Sequence, residues 1–256
     1  MNSFPDTDPE IVARRAASFG GEAAAYARER PDYPDAAVRW ALEPVAHNGA
    51  LRVLDLAAGT GKLTGVLLRH VRDVVAVEPD PAMLAELRAR FPDVEALRGT
   101  AEDIPLADGS VDAILVGQAM HWFDLDRAMP EMARVLKSGG VLAGLWNLDD
   151  DHVPWVDGLK RVAGSTVSVS NWRPITLPTS AEHFPAVERI EFPHTQRRTA
   201  ESLAATIGTH SHVLILDGAE REDLMARILA YLHTTPDTAD GEFDLPIITV
   251  TVRAVR

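Results

Sequence analysis

Between residues 51 and 148 the apolar positions switch repeatedly between two spacings. Short unbroken runs rich in Val, Leu, Ile and Ala stand at Leu51–Leu56, Val74–Glu78, Val94–Gly99, Val111–Gly117 and Gly140–Asn147. Runs of this kind suit strands buried on both faces. Between them the apolar residues fall at helical spacing: Leu63, Val66, Leu67 and His70, then Met83, Leu84, Leu87 and Phe91, then Met129, Met132, Val135 and Leu136. Gly139-Gly140 is expected to stop the last of these helices. Strict alternation of the two periods predicts an α/β fold, a doubly wound parallel sheet with right-handed crossovers.

The flanks read differently. Ile11 to Leu42 has a helical pattern, interrupted by Phe19-Gly20-Gly21 and by the turn Pro31-Asp32-Tyr33-Pro34. Beyond Asp149 come strand candidates at Val187–Phe192 and Ile247–Val255, with helices at Glu201–Ile207 and Glu220–His233 between them. The last strand alternates Ile248, Val250 and Val252 with Thr249, Thr251 and Arg253, as a strand near a sheet edge does. His152 to Pro185, rich in Pro, Ser and Trp, is the expected lid or cap. Three parts are expected: a helical segment over 1–46, a nucleotide-binding core over 47–148, and a C-terminal part over 149–256 with the cap and the last two strands.

Composition narrows the partners. The 256 residues are 46% hydrophobic, enough for one large buried core, and the longest apolar runs are too short to span a bilayer. A formal charge of −13 repels nucleic acid and anionic membranes unless a basic patch overrides it. Arg14-Arg15 and Arg197-Arg198 are the densest basic pairs, and both are short. A small-molecule partner is therefore expected, with neither nucleic acid nor membrane, for a monomer or homodimer. Zero cysteines exclude disulfides and thiolate metal sites. Met1 to Glu10 is polar and acidic, unlike a signal peptide, so the expected location is cytoplasmic.

The chemistry concentrates in Asp55-Leu56-Ala57-Ala58-Gly59-Thr60-Gly61, where an apolar strand turns through small residues into a helix. Missing side chains let a nucleotide approach the backbone, and the amides of the helix start face it. A dinucleotide turn needs a third glycine, but Lys62-Leu63-Thr64 follows Gly61. Glu78, ending the next strand, stands where a carboxylate accepts ribose hydroxyls in either cofactor class. A carboxylate merely solvated at a strand end is the plainer reading of Glu78.

The spacing D-x-A-x-G-x-G resembles motif I of class I S-adenosylmethionine-dependent methyltransferases, with Ala57 in the first glycine's place. Ala57 is expected to do a glycine's work at negative φ. Three further segments carry the resemblance: Gly99-Thr100-Ala101-Glu102-Asp103-Ile104-Pro105-Leu106, Ser110-Val111-Asp112-Ala113-Ile114-Leu115-Val116, and Ala133-Arg134-Val135-Leu136-Lys137-Ser138-Gly139-Gly140. Thr100 departs from the pattern, since an acid is usual there. Tyr26 with Arg30-Pro31-Asp32-Tyr33-Pro34, and Gln118-Ala119-Met120-His121-Trp122-Phe123, resemble a small-molecule subgroup of the type 11 kind, akin to trans-aconitate methyltransferase. The resemblance implies a Rossmann-like seven-stranded sheet with an antiparallel last strand, N-terminal helices and a small cap. It implies S-adenosyl-L-methionine as cofactor, held by Tyr26, Arg30, Asp55, Ala57, Gly59, Gly61, Glu78, Pro79, Met83, Ala101, Glu102, Gln118 and Ala119.

Methyl transfer asks mainly for alignment, worth about 7–11 kcal/mol of the barrier. His121, after the fourth strand, is the candidate general base; the competing reading is packing against Trp122. Tyr26 and Arg30 either bind the methionine carboxylate or form an exposed helix pair. His121, Trp122, Trp146, Asn147, Trp172 and His210 are the candidate substrate contacts. No metal motif stands out; His210 and His212 would not share a helix face, and Asp149-Asp150-Asp151 reads as a solvated turn. Arg197-Arg198 reads either as an anion contact or as a solvated strand end. The expected function is methyl transfer to a small organic acceptor, at a carboxylate or hydroxyl oxygen. The alternatives are a non-methylating protein that binds the same cofactor and an NAD-dependent oxidoreductase.

Overall fold

A computed structural model describes residues 31–165, 184–210, 213 and 216–256 of the chain. Its elements are α1 (Asp35–Leu42), β1 (Arg52–Leu56), α2 (Lys62–Leu67), β2 (Asp73–Glu78), α3 (Pro81–Arg90), β3 (Glu95–Arg98), β4 (Val111–Gly117), α4 (Leu125–Val135), β5 (Leu136–Asp149), α5 (Pro154–Ala163), β6 (Val187–Arg198), α6 (Ala200–Gly208), α7 (Gly218–Thr234) and β7 (Phe243–Val255). A short 3-10 turn, Met120–Trp122, separates β4 from α4. The described strands form a seven-stranded sheet in the order β3-β2-β1-β4-β5-β7-β6. The pairings β1 with β2, β1 with β4, β2 with β3 and β4 with β5 are parallel, and the last strand is the antiparallel one. The expected fold class holds. Strand order reverses between β1 and β4, which is where a doubly wound sheet opens a crevice at its carboxyl ends.

Two compact units are present, one of residues 32–146, 175–192 and 249–256, the other of 1–31, 147–174 and 193–248. In the first, alternate strand residues serve opposite faces. Val53, Ala113, Leu115, Val141, Ala143 and Leu145 pack with Ala37, Val38 and Ala41 of α1 and Leu63, Val66 and Leu67 of α2. Ala76 and Ala96 turn the other way, onto Leu84 and Leu87 of α3 and the Phe91 ring. Burial on both faces is the physical reason for the unbroken apolar runs. The polar face of β7 is also enclosed, since Thr249 and Thr251 are fully buried.

One expectation fails at the start of β5. Helix α4 ends at Val135, and Leu136 is already extended, so Gly139-Gly140 does not stop the helix. The pair lies inside β5, where the register jumps from Val111↔Leu136 to Ala113↔Val141. Gly139 sits at φ 76°, and a Cβ on Gly140 would come within 2.8 Å of the Lys137 carbonyl oxygen. The two glycines form a bulge. Beside it Lys137 Nζ reaches Asp112 Oδ2 at 2.8 Å.

The second unit packs α5, α6 and α7 around Trp155, Leu159, Leu203, Ile207 and Ile228, together with Phe243, Leu245 and Ile247. Capping boxes at Thr199/Ser202 and Asp217/Glu220 fix the starts of α6 and α7. Asp149-Asp150-Asp151 is not the solvated turn expected. Asp151 forms a buried ion pair with Lys160 at 2.5 Å, and Asp150 accepts from the His152 backbone N–H at 3.1 Å. The helical pattern before Pro31 and residues 166–183 of the expected cap lie outside the described residues.

Candidate active site

The glycine turn leaves β1 directly over the switch point. Ala57 has φ 56°, so the expectation of a negative φ is overturned; Gly59 and Gly61 follow at 57° and 83°. All three occupy the left-handed region, which costs a residue with a Cβ roughly 1–2 kcal/mol. Gly61 also faces the Phe91 ring, which a Cβ would meet at 2.7 Å, and Gly65 faces the same ring at 3.0 Å. Close helix packing, the task of the third glycine in a dinucleotide turn, therefore falls to Gly61 and Gly65. Sequence pattern alone did not reveal the ring that demands them.

Two buried carboxylates hold this turn. Glu78 Oε2 accepts from Gly59 N–H at 2.7 Å and Oε1 from Asp80 N–H at 2.8 Å. That overturns the plainer reading of a solvated strand end. Burial raises the Glu78 pKa against these two amide bonds. Asp55 lies deeper, with Oδ2 accepting from Thr64 Oγ1 at 2.6 Å and Oδ1 without a partner among the described residues. Desolvation pushes its pKa up to about 7, opposed by the Thr64 hydroxyl and reinforced by the Glu78 charge. Arg90 Nη1 donates to the Thr60 carbonyl at 2.7 Å and closes the turn from outside.

After β3 the chain makes a tight reversal. Thr100 N–H donates to the Asp103 carbonyl at 3.3 Å, and Asp103 N–H returns to Thr100 at 3.4 Å. Ala101, at the tip, is buried; Glu102 Oε1 accepts from Asp124 N–H at 2.9 Å, at the start of α4. Gly99 is required because a Cβ would strike Pro105 Cδ at 2.5 Å. Glu131 and Arg134 of α4 bond to the backbone just beyond. Sequence reading placed Arg134 in a motif but missed this contact.

At the end of β4, Gln118 is the second non-glycine residue at positive φ (59°), and its N–H donates to the Leu145 carbonyl at 2.9 Å. Tyr33 lies over Gly117, where a Cβ would meet its hydroxyl at 2.5 Å. Ala119 and Met120 are buried; the half-buried His121 ring tilts against Trp122, with centroids 4.6 Å apart. Crowding by protein atoms pulls the His121 pKa down to about 4. Trp146 is buried, folded back onto Gly144, and its indole N–H has no partner among the described residues.

Asp55, Ala57, Gly59, Gly61, Glu78, Met83, Ala101, Glu102, Gln118, Ala119, His121, Trp122 and Trp146 thus belong to one unit, with Met83 Sδ 3.7 Å from a Cβ built on Gly59. Pro79 is there too, exposed beyond Glu78. Asn147 and His210 belong to the other unit, where Asn147 Nδ2 donates to the Pro31 carbonyl at 3.4 Å and His210 follows α6. Tyr26, Arg30, Trp172 and His212 lie outside the described residues. Arg197 is an exposed strand end that pairs with Glu242 and Asp244, as the solvated reading expects, whereas Arg198 is buried and departs from it. No group of three His, Asp or Glu side chains suited to a metal occurs among the described residues, and no described helix is long and apolar enough to cross a membrane.

Known proteins share this arrangement. A family model described as a methyltransferase domain matches residues 54–144. The chain is similar to an uncharacterized methyltransferase of Mycobacterium tuberculosis, 44% identical over 238 residues that cover 93% of this chain and 95% of the relative. A malonyl-[acyl-carrier protein] O-methyltransferase of Methylococcus capsulatus is 35% identical over 186 residues, 63% of this chain and 66% of that protein. Among solved structures, a candidate type II methyltransferase from Anaeromyxobacter dehalogenans matches with a TM-score of 0.68 and 29% identity, over 89% of this chain and 97% of that one. With the acid-and-glycine turn at the switch point, these matches place the chain among the class I S-adenosylmethionine-dependent methyltransferases.

Proposed function

We propose that the methyl group goes to oxygen of a small organic acceptor, and that the acceptor is a carboxylate. One observation carries this reading: the His121 ring is packed against Trp122, centroids 4.6 Å apart, and crowding by protein atoms around it lowers its pKa to about 4. An imidazole so depressed is neutral at pH 7, yet too weak a base to take a proton from a phenol or an ammonium group. A carboxylate is already ionised and needs no base. The relative named for O-methylation of a malonyl group supports the same acceptor chemistry.

The residues present fit the cofactor. Asp55 holds an unpartnered buried carboxylate oxygen, suited to a cationic group, while Ala57 and Gly59 keep partial exposure on an otherwise closed turn. In this reading Asp55, Ala57, Gly59 and Gly61 take the amino-acid end, with Gln118 and Ala119 beside them. Glu78 and Pro79 take the ribose, and Met83, Ala101 and Glu102 the adenine. Bound there, S-adenosylmethionine supplies an electrophilic methyl on a sulfonium. The chain's work is to exclude water and align the acceptor oxygen in line. Trp122 walls the acceptor side and His121 packs against it. Release of S-adenosylhomocysteine from a panel of carboxylic acids, phenols and amines tests the reading. With S-adenosylmethionine saturating at every pH, carboxylic acids should turn over with a rate flat from pH 6 to pH 8.5, in the native chain and in His121→Gln alike. Turnover confined to phenols or amines, with an inflection that His121→Gln abolishes, would overturn it.

A further inference from the structure

The backbone of Ile104 is held by side chains of a single helix turn. Its N–H donates to Glu131 Oε2 at 3.1 Å, and its carbonyl accepts from Arg134 Nη2 at 2.9 Å. Arg134 Nη1 reaches the Leu106 carbonyl at 2.8 Å and Asp108 Oδ1 at 2.7 Å, and its Nε returns to Glu131 Oε1 at 2.8 Å. Farther on, Gly109 N–H donates to the Arg134 carbonyl and Ser110 N–H to that of Val135, both at 2.9 Å.

Ile104 lies just past the Thr100–Asp103 reversal, outside any strand, so no ladder satisfies its backbone groups. Buried amides and carbonyls without partners are costly; the Ile104 carbonyl takes one bond from the Leu106 N–H at 2.7 Å, and the Arg134 guanidinium and the Glu131 carboxylate supply the others. Glu131 and Arg134, three residues apart, project together from α4 toward this loop. Neighbouring Met132, Ala133 and Val135 are buried, which fixes the helix that carries them. The ion pair also holds Glu131 below the usual carboxylate range and keeps Arg134 charged.

We propose that Glu131 and Arg134 are positioning residues that set the shape of the 100–104 turn and thereby how strictly the adenine edge is read. The proposal rests on the assignment of that turn to adenine. Neither side chain touches the cofactor in this account; both act through the Ile104 backbone. A loop held at both its N–H and its carbonyl presents Ala101 and Glu102 in one geometry, and only a fixed geometry distinguishes a ring amino group from a ring carbonyl.

Calorimetric titration with S-adenosylhomocysteine and S-inosylhomocysteine, which has a carbonyl in place of the amino group, tests this. The native chain should prefer the adenine form. Arg134→Lys keeps the charge and loses the fork; it should weaken S-adenosylhomocysteine about tenfold, the scale of losing charge-assisted bonds, and the inosine form little. The preference should collapse toward unity. The double swap Glu131→Arg/Arg134→Glu restores an ion pair but turns a carboxylate toward two carbonyls, so it should stay as defective as Arg134→Lys. Equal weakening of both ligands, or rescue by the swap, overturns the positioning role and leaves a pair that only stabilises α4. Should Arg134→Lys not fold, Glu131→Gln gives the same readout, and an unchanged preference there overturns the proposal. Absence of any adenine preference in the native chain refutes the adenine assignment itself; a preference surviving the variants refutes only the positioning.

Discussion

Replacing Asp55 by Asn should change stability in a way that depends on pH in one direction only. Burial lifts the carboxyl from 3.8 to about 7. Each pH unit of such a shift is worth about 1.4 kcal/mol, so ionised Asp55 costs the folded state roughly 4 kcal/mol. The sign follows from proton binding. Between about pH 4 and pH 7 the unfolded chain has lost this proton and the folded chain retains it. Asp55 therefore favours folding at low pH, and that contribution fades as pH rises through the window, with nothing left to lose above it. Asn keeps an acceptor for the Thr64 hydroxyl and cannot ionise. Its amide takes the unpartnered Oδ1 position, which adds an offset that does not vary with pH. Urea unfolding of both proteins without cofactor at pH 5, 6, 7 and 8.5 gives the difference directly. The variant should gain on the native chain by roughly 3 kcal/mol from pH 5 to above pH 7, then hold level. A difference that stays constant, or that shrinks as pH rises, refutes the buried-charge argument.

The same carboxyl should lose its proton when a cationic ligand arrives, so S-adenosylmethionine binding at pH 6.5 should release protons. Calorimetry in two buffers of unlike ionisation enthalpy measures this, and identical heats would count against it. Gly61→Ala places a Cβ 2.7 Å from Phe91 at φ 83° and should cost roughly 2–4 kcal/mol. Phe91→Leu in that background should recover part of the loss; denaturant melts that show simple additivity would exclude the clash. Thr251→Val removes a buried hydroxyl that has no partner among the described residues and should stabilise by about 1 kcal/mol. An unchanged or lower Tm contradicts this. Ala57→Gly relieves φ 56° but frees the unfolded chain, for a net gain of up to about 1 kcal/mol in urea melts. A loss there would mean that the Ala57 methyl packs productively.

What could be read along the chain was whatever a single segment decides. Strands buried on both faces announce themselves as unbroken apolar runs, and the acid-and-glycine turn sits within seven consecutive residues from Asp55 to Gly61. What stayed hidden depends on residues far apart. Gly139-Gly140 after a helix reads equally as a stop or as a bulge, and only the pairing of β4 with β5 decides for the bulge. The demand for Gly65 comes from the Phe91 ring, beyond the end of α3. His121 reads as a base because its ordinary pKa suits one; the crowding that depresses it is a tertiary property. Asp149-Asp150-Asp151 looked solvated because the partner of Asp151, Lys160, lies two helix turns farther on.

Ala57 and Gln118 show how the backbone is shaped at the switch point. They directly follow the two strands that flank the switch point, and both are held at positive φ without being glycine. Two such residues cost roughly 2–4 kcal/mol together, so other bonds must hold them there. On the β1 side, Ala58 N–H donates to the Val77 carbonyl of β2 at 3.0 Å, away from β4. On the β4 side, Gln118 N–H donates to the Leu145 carbonyl of β5, away from β1. Each strand end is drawn toward its outer neighbour just where the inner pairing stops, the last inner partners being Asp55 and Leu115. Beyond the last inner pair, then, the backbone on each side is bonded to its outer neighbour, with Ala57 and Gln118 at the turn. A glycine at either position would permit the same turn and many others. A site that works by alignment gains from the restriction, because it needs one geometry set before the acceptor and the methyl donor meet.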